Sequence, residues 1–214
     1  MKILFYGDSI TDAERNKSTD DLNSSYGFGY VMQIAGNLYR KSPVEYNIIN
    51  RGISGNRIVD LYARVKKDLW NHKPDLVSIL IGINDIWHEL AEEPNGVDVV
   101  RFEKIYRMLI DDTLAVLPNL KFILCEPFVL SGTATDPKME HFKTVADYAD
   151  AVKRIAKDYN LYYLPLQSVL DEAAERYGAQ NLLIDGVHPA VQGATIIADE
   201  WQKLFDKIEN EVKN

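Results

Sequence analysis

The 214-residue chain predicts an α/β fold built on a parallel β-sheet with helices on both faces. Two observations carry this. Five short apolar or β-rich runs are spaced along the chain, and the segments between them show helical rather than alternating apolar spacing. A chain of this length buries roughly 70% of its unfolded surface, so with 46% hydrophobic residues the core is ample. No Pro-, Gly- or Ser-rich linker and no repeat interrupts it, and a single domain over 1–214 is expected.

The strand-like runs are "KILFY" (2–6), "EYNIIN" (45–50), "DLVSILIG" (75–82), "KFILCEP" (121–127) and "LYYLPL" (161–166). The first, third and fourth are almost continuously apolar, as strands buried on both faces are. Helical spacing appears in 101–117 (Phe102, Ile105, Tyr106, Leu109, Ile110, Leu114, Leu117) and in 138–159 (Phe142, Val145, Ala149, Val152, Ala156, Tyr159). It appears again near the C-terminus, from Ala194, Ile197 and Ala198 through Trp201, Leu204, Phe205 and Ile208 to Val212. In such folds ligands bind off the carboxyl ends of the strands. Ser9 lies just past the first run, "RGISGNR" (51–57) follows the second and "GINDIW" (82–87) overlaps the end of the third, so all three meet at one edge.

The formal net charge of −8 argues against a nucleic-acid backbone or an anionic membrane surface as partner. Lys and Arg in stretches such as "ARVKKDLW" read as solvated helix faces. Cys125, the one cysteine, forms no intramolecular disulfide, and its apolar setting predicts a buried, inert thiol. The N-terminal apolar run is too short for a signal-peptide core, and no segment approaches the ~18 apolar residues of a membrane span. A soluble cytoplasmic protein is expected, and the sequons at Asn16 and Asn23 carry no weight without a secretory route.

A serine acts as nucleophile when a base stands within hydrogen-bond reach and a third group orients that base. Of the four histidines, His72 closes a helical stretch, where a cation suits the helix dipole, and His141 falls on a polar face. His88 follows Trp87 and can line a pocket. His188 in "DGVHPA" stands at or near the N-cap of the last helix, with Pro189 suited to its first turn. Asp185, three residues earlier across a glycine turn, can fold back onto its ring. That spacing alone also fits a capped helix start. Acyl transfer further needs donors for an oxyanion, and Gly55 and Asn84 at neighbouring strand ends are candidates, though each is also an ordinary turn residue.

"GDSIT", "GISGN", "GIND" and "DGVHP" together resemble the four sequence blocks of the SGNH (GDSL) hydrolases, in order, over residues 7 to 189. The resemblance implies Ser9 as nucleophile, His188 as base and Asp185 as its partner. It implies an oxyanion hole from the backbone N–H groups of Ser9 and Gly55 and the Asn84 amide. It also implies a three-layer α/β/α, flavodoxin-like sandwich with five parallel strands in order 2-1-3-4-5. Ser9 is not in a G-x-S-x-G elbow, since Thr11 stands where that motif has glycine.

Within the family the chain looks most like the intracellular acetyl esterases of acetylated xylo-oligosaccharides, although Ile184 stands where such relatives often carry Trp. A short-acyl, chiefly acetyl, carbohydrate ester is therefore the expected substrate. Tyr26, Tyr30, Trp87, Phe128 and Ile184 are expected to contact it, with Phe28 and Phe128 the aromatics most suited to the core. A lysophospholipase or thioesterase is the alternative, and a non-catalytic α/β binding module a further one. "GFGYVM" (27–32) lacks the third glycine of a dinucleotide loop, and no H-E-x-x-H or Cys/His set suggests a metal. No cofactor and no metal are expected. The partner is a small-molecule ester, with no nucleic acid or membrane, and a homo-oligomer is left open.

Overall fold

The computed structural model describes residues 1–20 and 23–213. Its sheet comprises β1 (Lys2–Gly7), β2 (Asn47–Gly52), β3 (Leu76–Leu80), β4 (Lys121–Cys125) and β5 (Tyr162–Leu164). All pairings are parallel and the order is β2-β1-β3-β4-β5, the predicted topology. The register aligns the carboxyl ends: Gly7 lies opposite Gly52 and Leu80, Leu80 opposite Cys125, and Cys125 opposite Leu164. The chain reverses its direction of progress across the sheet at β1, so loops after β1, β2 and β3 converge there.

The helices are α1 (Ser9–Asp12), α2 (Tyr30–Lys41), α3 (Ile58–Asp68), α4 (Ile83–Trp87), α5 (Val99–Val116), α6 (Met139–Phe142), α7 (Val145–Asp158), α8 (Gln167–Tyr177) and α9 (Val191–Lys213). α2 and α8 pack on α9, while α5 packs between α3 and α7, giving helical layers on the two sheet faces. β3 is wholly buried, and its one polar side chain, Ser78, is satisfied by the indole N–H of Trp201 at 3.0 Å. Cys125 is buried with its sulfur 3.4 Å from the Ser78 hydroxyl, and burial pushes its thiol up to about 12.

Several boundaries differ from the sequence reading. β5 is short because Pro165 lacks an N–H for the ladder, and the Glu126 carboxylate takes the next amides, of Leu166 and Gln167, at 2.7 and 2.9 Å. The 138–159 segment breaks into α6 and α7, where the Thr144 hydroxyl donates to the His141 carbonyl at 2.6 Å. α2 and α8 were absent from the periodic segments, although α2 buries Tyr30, Val31, Ile34, Ala35 and Leu38 at helical spacing. The Val212 side chain, expected on the apolar face of α9, lies outside the described residues.

His188 is not an N-cap. α9 starts at Val191, and Pro189 instead bridges antiparallel to Leu183. His72 accepts from Arg51 Nε at 3.1 Å, and burial together with that guanidinium lowers its pKa, so it is no dipole-paired cation. Among the described residues no helix is long and apolar enough to cross a membrane.

Candidate active site

β1 runs directly into the site. Gly7 is still paired in the strand, and its role is close approach. A Cβ there would lie 2.4 Å from the Leu80 carbonyl and 2.5 Å from the Thr11 hydroxyl. Asp8 then caps α1, accepting from the Ile10 N–H at 3.0 Å, and Ser9 becomes the first helical residue, half-buried at the sheet edge. Burial pushes the Asp8 carboxyl up to about 7, against the opposing pull of that N–H and of nearby His188. The carboxyl thus holds a proton up to near-neutral pH, which keeps negative charge away from the serine.

Ser9 Oγ lies 2.8 Å from His188 Nε2, and His188 Nδ1 lies 2.7 Å from Asp185 Oδ2. The D-x-x-H spacing is explained by Asp185 Oδ1, which accepts the backbone N–H groups of Val187 and His188 at 2.9 and 2.8 Å and closes the turn. Burial raises the Asp185 pKa, but these N–H bonds and the ring N–H outweigh it and hold the carboxyl below its ordinary range. An ionised Asp185 fixes the tautomer with hydrogen on Nδ1, leaving Nε2 free to accept the serine proton. The loop is seated from below: Leu130 N–H donates to the Gly186 carbonyl at 2.9 Å and Ala134 N–H to the Asp185 carbonyl at 3.0 Å.

The loop after β2 carries Gly55 at φ +80°, a left-handed conformation that a side chain would strain. Three groups fix this loop. Buried Asp12 accepts both the N–H and the hydroxyl of Ser54, at 2.9 and 2.8 Å. Arg64 donates to Asn56 Oδ1 at 2.7 Å, to the Arg51 carbonyl at 2.9 Å and to the Gly7 carbonyl at 3.1 Å, with its guanidinium 4.3 Å from the centre of the Tyr6 ring. Arg64 is therefore a strand-end clamp, not part of a solvated face. Asp85 accepts the Ile58 N–H at 3.1 Å, joining the start of α3 to α4. Asn84, buried beside it, donates from Nδ2 to the Asn56 carbonyl at 3.1 Å. Ser9, Gly55 and Asn84 thus stand on three segments past strand ends that are directly cross-bonded.

A cleft of about 540 Å³ opens over Ser9, lined also by Ser54, His188, Glu14, Phe28 and Ile184. Of the five residues expected to contact substrate, Ile184 lines it, 69% exposed. Trp87 touches the His188 ring, centroids 6.0 Å apart, and packs edge-on against Phe142. Neither Trp87 nor the other three line it. Tyr30 and Phe128 are core residues, 1% and 0% exposed, with the Tyr30 hydroxyl bonded to that of Thr11; Tyr26 is half-buried, its hydroxyl 3.0 Å from that of Tyr39. Phe28, one of the aromatics clustered in sequence around the expected rim and also one of the two most suited to the core, is 77% exposed at the mouth. Asp12, Arg64, Glu14 and Asp85 went unread because each looks like a surface charge in sequence. The only signal was that Asp12 and Asp85 fall inside or beside the motif blocks. Among the described residues no cluster of three His, Cys, Asp or Glu could hold a metal ion.

A serine, an imidazole and a carboxylate in series at the switch point of a parallel sheet define the hydrolase class of α/β proteins. The sequence places the chain more closely: it belongs to the GDSL-like lipase/acylhydrolase family, whose model matches residues 5–196, and it is a carboxylic ester hydrolase. It is 35% identical over 202 residues to an acetylxylan esterase of Geobacillus stearothermophilus, covering 92% of this chain and 90% of that one. It is 23% identical to the isoamyl acetate-hydrolyzing esterase of Saccharomyces cerevisiae, over 96% and 86% of the two chains. The crystal structure of the Geobacillus enzyme, Axe2, superposes with a TM-score of 0.84 at 34% identity, covering 95% of this chain and 93% of that one. A GDSL-like protein from Parabacteroides merdae reaches 0.89 at 35% identity, over 95% and 94%.

Proposed function

We propose that this esterase removes acetyl groups from carbohydrate esters through a Ser9–His188–Asp185 triad. The observation that carries the reading is the unbroken bond series from Ser9 Oγ to His188 Nε2 (2.8 Å) and from His188 Nδ1 to Asp185 Oδ2 (2.7 Å) beneath an open cleft.

Ser9 Oγ attacks the ester carbonyl as His188 Nε2 takes its proton. The oxyanion is received by the backbone N–H groups of Ser9 and Gly55 and by Asn84 Nδ2. Asp185 stabilises the imidazolium. His188 then protonates the leaving alkoxide, and a water molecule repeats the sequence on the acetyl-enzyme, with no metal or cofactor. Both named relatives act on acetates, and catalytic mutants of Axe2 have a serine or an aspartate replaced by alanine. The partner is a neutral small-molecule ester.

The test is the chain-length profile on p-nitrophenyl esters. A methylene in an apolar pocket is worth about 1 kcal/mol or more, so the profile reads pocket depth. kcat/KM should fall steadily from acetate to octanoate, with acetylated xylobiose a good substrate. A maximum at hexanoate or beyond would put a lysophospholipase or thioesterase in its place.

A further inference from the structure

We propose that Glu14 selects the leaving group: its carboxylate accepts hydrogen bonds from the hydroxyls of a neutral sugar and disfavours esters whose alcohol carries negative charge. This rests on the carbohydrate-ester reading above and assigns part of its specificity to one residue.

Glu14 lines the cleft with Ser9 and is exposed there. Among the described residues it has no hydrogen-bond or ion-pair partner: the adjacent Arg15 is buried and donates from Nε to the Gly52 carbonyl at 2.9 Å, and Lys17 is held by Asp12 at 2.7 Å. Its backbone is unusual. Ala13 and Glu14 are consecutive non-glycine residues at φ 42° and 59°, a region such residues seldom adopt. The turn is fixed from both sides, by Ala13 N–H donating to the Ser9 carbonyl at 2.9 Å and Phe28 N–H donating to the Ala13 carbonyl at 2.8 Å. The second of these bonds also ties Phe28 to the turn that carries Glu14. Strained backbone held at a cleft wall points to a positioned side chain rather than a passive loop.

The chemistry of the mouth is specific. An ionised carboxylate is acceptor-only, with two oxygens, and suits a pair of sugar hydroxyls. Phe28 and Ile184, 77% and 69% exposed, offer apolar surface to the C–H faces of a ring. Phosphate or carboxylate on the leaving alcohol would meet this charge within the screening length of about 8 Å, in a chain already at −8. One wall thus favours a neutral polyol over the alcohol of a lysophospholipid or an anionic thiol carrier.

The experiment compares the unsubstituted enzyme with Glu14→Gln and Glu14→Lys on three acetates: methyl 2-O-acetyl-β-xyloside, the corresponding methyl 2-O-acetyl-glucuronide, and p-nitrophenyl acetate. Replacing a charge-assisted hydrogen bond by a neutral one should lower the xyloside to p-nitrophenyl ratio of kcat/KM about tenfold in Glu14→Gln. Glu14→Lys should raise the glucuronide to xyloside ratio by about the same factor, and added salt should shrink that gain. If the wild type deacetylates the xyloside yet both ratios stay within about twofold in the variants, Glu14 is not the selector. If the wild type does not deacetylate the xyloside at all, the carbohydrate reading itself falls and takes this inference with it.

Discussion

The buried carboxylate of Asp12, three residues past Ser9, accepts both the N–H and the hydroxyl of Ser54, at 2.9 and 2.8 Å. The short helix carrying the serine is thereby bonded to the loop presenting Gly55. Burial raises the Asp12 pKa, but the bonds from Lys17 and Ser54 outweigh it, so the group stays ionised. Asp12→Asn keeps the volume and loses the charge. kcat should fall by about 10 to 100-fold, short of the loss of a whole oxyanion donor, with KM within about twofold. Rising KM with constant kcat in steady-state assays would show that the contact shapes substrate binding instead.

Asn84 is the side-chain donor of the proposed oxyanion hole, already oriented by its 3.1 Å bond to the Asn56 carbonyl. Asn84→Ala should cost about 10² to 10³ in kcat. Ser9→Ala should fold and lose activity by several orders of magnitude, and a fluorophosphonate should label only Ser9. An adduct mapped to another serine would remove the triad assignment.

Burial raises the Asp8 carboxyl from 3.8 to about 7 in the folded chain. Between those values the folded state holds a proton that the unfolded state has released, so stability falls as pH rises through the window. Asp8→Asn removes this dependence and keeps an oxygen to accept the Ile10 N–H. The gain in Tm of the variant over wild type should therefore grow from about pH 5 to about pH 8. A Tm difference that is flat across this range in calorimetry would mean that Asp8 is ionised throughout.

Trp87 was expected to meet the sugar. The structure packs it between His188 and Phe142, against the ring of the proposed base. Trp87→Ala should lower kcat about tenfold on p-nitrophenyl acetate and on acetylated xylobiose alike, an effect of misplacing a catalytic group. Selective loss on the sugar ester in parallel assays would restore the direct-contact role.

The sequence alone pointed to the parallel sheet, since apolar runs such as "ILFY" and "VSILI" alternate with segments of helical spacing. It also determined which motifs sit at the carboxyl edge. Ser9, Gly55, Asn84, Asp185 and His188 were legible because strand ends, turns and a D-x-x-H spacing are local features. Helices α2 and α8 were less so, because half of an amphipathic helix is polar and mimics a loop.

Only the tertiary structure decided what the charged and aromatic side chains do. Asp12, Arg64 and Asp85 act across 25 residues or more, on Ser54, Gly7 and Ile58 respectively, and no local pattern encodes such a partner. Tyr30 and Phe128 went to the core while Phe28 went to the mouth, although Phe28 and Tyr30 are only two residues apart. An aromatic ring is stable either buried or half-covered at a cleft, so its type does not fix its place. That place is set by which backbone segment closes over it, and closure depends on packing between elements far apart in the chain.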